Sequence, residues 1–271
     1  MKRLSRTILY IVAFVLFFYA NNNLLVTTEY TIESSKLPES FDGFRIVQVS
    51  DLHDAAFGDG QQRLVEKVKA ADPDVVFLTG DLIDSRRYDL QNSLDAVKQF
   101  VKLADVYYVL GNHEVAVNQT DEIYMALENL GVHILPNQSL EIEHSGKRLA
   151  IIGIEDPLMG KEVQEMLEEA MAGIDEQTYK ILLSHRPEKF ETYVENKLDL
   201  VFTGHAHGGQ IRLPFIGGLI APGQGWLPTY TSGMYEADNT KMLVSRGLGN
   251  SLVPQRLFNL PELIVVELRS M

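Results

Sequence analysis

The chain has 271 residues, enough for one large α/β domain or two small ones, and an ordinary globular composition of 45% hydrophobic and 23% charged residues. Its net charge of -13 opposes a phosphate-tracking surface, so long nucleic acids are not expected as partners. The absence of cysteine rules out disulfides, thiol nucleophiles and thiolate metal sites. Any metal must then be held by His, Asp, Glu or Asn, a donor set suited to Mn, Fe, Zn or Mg.

Lys2, Arg3 and Arg6 precede the uncharged run "TILYIVAFVLFFYA" (7–20). A basic start before an apolar run reads as a signal peptide or a signal anchor. The run is apolar on every face, unlike an amphipathic helix. Phe18 makes a poor cleavage site before Ala20, which favours an uncleaved N-terminal transmembrane anchor over 1–26. At 1.5 Å per residue the run spans only ~21 Å of a ~30 Å hydrocarbon layer. Leu4 and the "LLV" at 24–26 lengthen it only across Asn21, Asn22 and Asn23. With the positive charges inside, a single-pass protein of the cell membrane would carry its catalytic domain on the extracytoplasmic side.

A linker rich in Thr, Ser and Glu (27–43) leads to a catalytic domain expected over 44–271. Strand-like runs fall at 44–50, 74–80, 106–111, 148–154, 179–185, 198–204, 241–247 and 262–268. Between them, 61–71, 91–103, 121–130, 162–172 and 187–196 space their apolar residues by three and four and predict helices. Strands alternating with helices imply an α/β fold with a largely parallel sheet, and the strand-rich end leaves room for an antiparallel section.

The polar residues cluster at strand ends. "VSDLHD" places Asp51 and His53 after the first strand, and "LTGDLID" places Asp81 after the second. "LGNHE" places Asn112, His113 and Glu114 after the third; "LSHRP" and "TGHAHGG" add His185, His205 and His207. Carboxyl ends of parallel strands are where α/β sites assemble, because the loops diverge there while the strand ends stay rigid. Each piece alone has a bland reading: Asp51 as a turn residue, Asn112 as a left-handed turn, His185 as a loop tie. Five strand ends all delivering metal-type ligands do not. Glu114 is ambiguous, orienting a neighbour or facing solvent. His133 and His144, without carboxylate partners, read as structural or surface residues. Asp54, Asp59, Asp84 and Asp156 read as caps or as supports of the ligands.

"DLH", "GDLID", "GNHE", "SH" and "GHAHGG", in that order, resemble the calcineurin-like metallophosphoesterase superfamily over roughly 44–268. "GLIAPGQGWLPTYTSGMYE" and "RGLGNSLVPQRLFNLPELIVVEL" further resemble its membrane-associated bacterial branch, the YkuE- and YaeI-like phosphoesterases. The resemblance implies a four-layer α/β/β/α sandwich holding two divalent metal ions, with manganese favoured over Fe, Zn or Mg. It implies Asp51, His53 and His207 on one metal, Asn112, His185 and His205 on the other, and Asp81 bridging both. A hydroxide shared by the metals would attack phosphorus in line, and His113, beside a ligand but without a metal, would be the general acid, oriented by Asp51. The implied activity is phosphoester hydrolysis, of a phosphodiester or of a membrane-associated, phospholipid-like substrate. Alternatives are a pyrophosphohydrolase of the UDP-2,3-diacylglucosamine type, a nuclease, which the acidic charge disfavours, and a non-enzymatic metal-binding scaffold, which the intact "GNH" disfavours. The apolar segment 211–235, with one charge (Arg212) and the only Trp (Trp226), reads either as a packed irregular loop or as a lip that meets lipid.

Overall fold

Short runs of β-branched and aromatic residues form the strands, and the computed structural model describes residues 2–251 and 253–271. In chain order come β1 (Val26–Ser34), β2 (Arg45–Val49), β3 (Val75–Thr79), β4 (Asp105–Val109) and β5 (His133–Ile134). Then follow β6 (Gln138–His144), β7 (Lys147–Gly153), β8 (Tyr179–Leu183) and β9 (Leu200–Thr203). Two small ladders come next, pairing β10 (Arg212–Leu213) with β11 (Gly217–Gly218) and β12 (Ile220–Ala221) with β13 (Gly225–Trp226). The last strands are β14 (Gly233–Ala237), β15 (Thr240–Val244) and β16 (Glu262–Ser270).

They assemble two six-stranded sheets, β1-β16-β2-β3-β4-β5 and β14-β15-β9-β8-β7-β6. Neighbours from β2 to β5 pair in parallel, as do β15, β9, β8 and β7. Strand period decides what each side chain meets. Ile46 and Phe77 face Leu183, Phe202 and Leu243 in a core between the sheets. Val47, Val76 and Leu78 point the other way, toward the helices α2 (residues 62–70), α3 (90–100) and α5 (120–128), while the short α4 (112–117) sits at the sheet edge. On the far side, α6 (Val163–Ala170) and α7 (Phe190–Glu195) cover Ile152, Leu182 and Val201. The layers are therefore helix, sheet, sheet, helix. In α3, Leu90, Leu94 and Val97 repeat by three and four on the buried face, and Asp89 caps the helix by accepting from the Asn92 N–H.

Two expectations are corrected at the amino terminus. Residues 27–34, expected within the linker, form β1 together with Val26, the last residue of the expected anchor, and the strand pairs in parallel with β16 from Val26 opposite Glu262 to Ser34 opposite Ser270. Its polar residues, Thr27, Glu29 and Thr31, alternate on the exposed face of an edge strand, which the composition alone reads as linker. Second, among the described residues no helix is long and apolar enough to cross a membrane, so the expected transmembrane helix is not found. The helix α1 (Lys2–Asn23) is 22 residues long, but its uncharged apolar part stops at three asparagines. These dock on the domain. Asn21 Oδ1 accepts from the Phe258 N–H (2.7 Å), Asn22 Oδ1 accepts from the Arg256 N–H (2.8 Å), and Asn22 Nδ2 donates to the Pro254 carbonyl (2.8 Å). Before them, Ile8, Leu9, Ile11, Phe14 and Leu16 are exposed.

Candidate metal centre

The carboxyl ends of β2, β3, β4, β8 and β9 meet at one edge of the two sheets. Each strand stops and its next polar residues turn sharply inward. Asp51, His53, Asp81, His205 and His207 all take left-handed backbone, with φ of 51°, 48°, 50°, 64° and 47°. Such conformations are uncommon for residues with a Cβ and persist where surrounding structure over-determines them. Backbone ties supply that constraint: Asp51 N–H donates to Gly80 O (3.0 Å), His53 N–H to Asp81 O (3.0 Å) and His205 N–H to Asp51 Oδ1 (3.0 Å). Gly204 is required by space, since a Cβ there would collide with Ser50 Oγ and the Asp51 carboxylate.

The donor atoms converge in two groups, Asp51, His53, Asp81 and His207 in one, Asp81, His185 and His205 in the other, and Asp81 belongs to both. His53 Nε2 lies 3.0 Å from His207 Nε2 and 3.6 Å from Asp81 Oδ2, and His207 Nε2 lies 3.4 Å from Asp51 Oδ1. On the other side His185 Nε2 is 3.2 Å from both Asp81 Oδ2 and His205 Nδ1. His185 Nδ1–H donates to the Thr79 carbonyl at 2.8 Å, which fixes the ring and leaves Nε2 as the inward atom. Asn112 Oδ1 is buried with no hydrogen-bond partner. Neutral ring nitrogens and carboxylate oxygens crowded this closely, with an amide oxygen left over, are the donor set of a two-metal-ion site, and these residues fit one.

Electrostatics agrees with that use. Burial drives the imidazoles of His205 and His207 well below their ordinary values and His53 down to about 4, so their lone pairs are available at neutral pH. Burial also pushes the Asp51 carboxyl up to about 6. For Asp81 and His185 burial is overridden by their mutual attraction: the carboxyl is held well below the usual range and the imidazole is raised. A proton on His185 occupies the place a cation would take.

All seven predicted ligands are brought to this edge, and His133 and His144 lie elsewhere, the first stacked on Tyr107 and the second exposed beside Ser40. Glu114 proves to be the hidden organiser. It is fully buried, and its two oxygens accept from the N–H groups of Asp81 (3.0 Å), Leu82 (2.7 Å), Ile83 (3.2 Å) and Gly111 (2.7 Å). Burial, with the charge of Asp81, pushes its carboxyl up to about 7 against the pull of the N–H groups. His113 is oriented differently from expectation. The Ser85 N–H donates to its Nδ1 (3.0 Å), Asp84 Oδ1 lies 3.7 Å from that atom and Ser251 Oγ 3.1 Å from Nε2, whereas the Asp51 oxygens are taken by Ser50 and the His205 N–H. Asp84 and Asp54 act as the supports they resembled: Asp54 Oδ2 accepts from the Asp84 and Asp89 N–H groups. Asp59 is exposed in the turn before α2.

Three residues carry no signal in the sequence. Arg186, beside His205, forms a two-armed pair with the fully buried Asp156. Arg256, also fully buried, donates to the carbonyls of Gly249 (2.5 Å) and Arg246 (2.9 Å) and to Asn250 Oδ1 (3.0 Å). It thereby holds a loop whose Gly249 N–H donates to the Asp51 carbonyl (2.7 Å). Asn259 Nδ2 donates to the His207 carbonyl (2.7 Å) from the same loop.

The chain is similar to known proteins along most of its length. The model of a family described as calcineurin-like phosphoesterase matches residues 44–209. A Bacillus subtilis protein named as an uncharacterized metallophosphoesterase, YkuE, is 32% identical over 261 residues, covering 93% of this chain and 88% of its own. A Campylobacter jejuni protein, also named as an uncharacterized metallophosphoesterase, is 31% identical over 96% of this chain and 68% of its own. One from Aquifex aeolicus is 29% identical over 89% of this chain and 90% of its own.

Proposed function

Since the chain belongs to the calcineurin-like phosphoesterase family and is a metal-dependent phosphoester hydrolase, we propose that its substrate is a phosphodiester or phospholipid-like ester presented at a lipid surface. Asp51, His53, His207 and Asp81 would hold one divalent cation, and Asp81, Asn112, His185 and His205 the other. Manganese suits this mix of imidazole, carboxylate and amide donors. Two such cations would polarise the phosphoryl oxygens and make bound water acidic near neutral pH.

The chain's own groups do the rest. Neutral imidazoles fill the donor positions without adding negative charge that would repel a phosphate. The Ser85 N–H pointing at Nδ1 of His113 fixes the ring proton at Nε2, the atom proposed to serve the departing alkoxide.

The observation that carries the lipid reading is the apolar loop beside the ligands. The Leu219 N–H donates to the Gly209 carbonyl (3.1 Å), two residues from His207, so the loop rises directly from the ligand turn. Its tip exposes Phe215, Ile216, Trp226 and Leu227, and apolar side chains of this kind favour the headgroup level of a bilayer. Phe258 carries the exposed surface on to α1, its ring 5.4 Å from Phe17. The test uses the full chain loaded with manganese, comparing the parent with a Phe215→Glu, Trp226→Glu variant. Hydrolysis of phospholipid in anionic vesicles, and co-sedimentation with them, should fall several-fold while turnover of bis(p-nitrophenyl) phosphate is unchanged. Equal vesicle binding and equal phospholipid turnover in both proteins would refute the lipid reading.

A further inference from the structure

Arg186 directly follows the ligand His185, and its guanidinium is fixed before any substrate arrives. Nε and Nη2 are taken by the buried carboxylate of Asp156, at 2.5 and 2.9 Å. The side chain is 13% exposed, and the remaining nitrogen, Nη1, is not engaged by Asp156. It lies 2.8 Å from His205 Nε2 and 3.6 Å from Glu188 Oε1.

The contact with His205 holds for one tautomer alone. His205 Nδ1 points into the donor cluster, 3.2 Å from His185 Nε2. A neutral imidazole that gives its Nδ1 lone pair to a cation carries its proton on Nε2. A guanidinium N–H has no acceptor there. With its other two nitrogens clamped the planar group cannot swing away, so the N–H that faced His205 is left for an oxygen arriving beside that ligand, with Glu188 Oε1 3.6 Å off. Pre-organised guanidinium forks of this kind suit phosphoryl oxygens.

We propose that Arg186, held by Asp156, is a substrate-binding residue that donates Nη1–H to a non-bridging phosphoryl oxygen. The assignment rests on the reading above that His205 holds a cation through Nδ1. Removal of the Arg186 cation would cost a dianionic monoester more than a monoanionic diester, because the monoester carries the larger charge.

The experiment measures three things on the full chain reconstituted with manganese. These are metal content, the inhibition constant of inorganic phosphate, and KM and kcat for p-nitrophenyl phosphate and its bis ester. Arg186→Gln should leave two metal ions per chain yet weaken phosphate about 10- to 100-fold, the range for one hydrogen bond to a charged group. KM for the monoester should rise more than KM for the diester. Arg186→Lys, which keeps the charge and guards against misfolding of the first variant, should restore part of the phosphate binding. Unchanged phosphate inhibition in Arg186→Gln overturns the proposal, and so does loss of a metal ion, which would make Arg186 a support of His205. Failure of the parent chain to take up metal would instead bring down the two-cation reading, and this inference with it.

Discussion

At their common edge the two sheets contribute unlike chemistry. The ends of β2, β3 and β4 bring the carboxylates Asp51 and Asp81, with His53 and Asn112 and with Glu114 behind them. The ends of β8 and β9 bring only imidazoles, His185, His205 and His207, with the cation of Arg186 behind. Negative charge is thus concentrated on the first sheet and spread over backbone N–H groups, while the second sheet supplies neutral donors. Neither sheet alone offers a complete shell for two ions. The split explains why the sheets must be packed rigidly: the polar bridge from Gln48 Nε2 to Thr79 Oγ1 (2.8 Å) and the Thr203 carbonyl (2.9 Å) locks one to the other just beneath the ligands.

This division is challenged most directly at Asp81, the residue common to both groups. Asp81→Asn should release both metal ions and lower diester turnover by more than about 10³-fold, beyond the 10- to 100-fold that loss of a ligand's support costs. Metal analysis by mass spectrometry is the check, and retention of two ions would show that Asp81 is not shared. Removing a neutral donor from the second sheet should do less. His205→Ala is expected to keep one ion, held by Asp51, His53 and His207, and to lose roughly 100-fold in turnover. If both ions leave, the two groups are one cooperative unit rather than two half-shells.

Glu114 tests the supporting layer. In Glu114→Gln one carboxylate oxygen becomes an NH₂ group facing N–H donors, and each buried donor left unpaired costs about 1–3 kcal/mol. Metal affinity should fall about 10- to 100-fold, with a matching drop in the melting temperature of the metal-free chain. An unchanged melting curve would mean the carboxylate is not what holds the Asp81 and Gly111 turns.

Much of this centre is legible in the order of residues alone. The ligands fall after recognisable strands because a parallel strand is a short apolar run and its end is marked by glycine: Gly80 before Asp81, Gly111 before Asn112, Gly204 before His205. Order and residue type together carry the site. What stays hidden depends on contacts between distant parts of the chain. Nothing in "NHE" says whether Glu114 turns inward, since the answer lies in N–H groups some 30 residues earlier. Arg186 and Asp156 pair across 30 positions of sequence, and Arg256 is an ordinary Arg until its carbonyl partners are placed around it. The strand β1 escapes a reading by composition because an edge strand exposes one face and resembles polar linker.

The same blindness applies to "NNN", which in the sequence only interrupts an apolar run. In the fold it is where α1 meets the loop that crosses the back of the centre. Asn22 makes three of those bonds, to the Arg256 N–H, the Gln255 side chain and the Pro254 carbonyl. The loop has its own clamp in Arg256, and its Gly249 and Asn259 reach the ligand turns without help from α1. Removing the asparagine should therefore loosen the helix more than the site. Asn22→Ala is expected to lower stability by about 1 kcal/mol, since neutral hydrogen bonds contribute about 0.5–1.5 kcal/mol each and this residue is half-exposed, so water replaces part of what is lost. Metal content should stay at two ions, and diester turnover should change less than about threefold. Urea denaturation with parallel kinetics measures both quantities. A loss of turnover larger than the loss of stability would place α1 inside the catalytic unit, with the Ser251 contact to His113 as the route, and the division of labour would then involve three regions rather than two sheets.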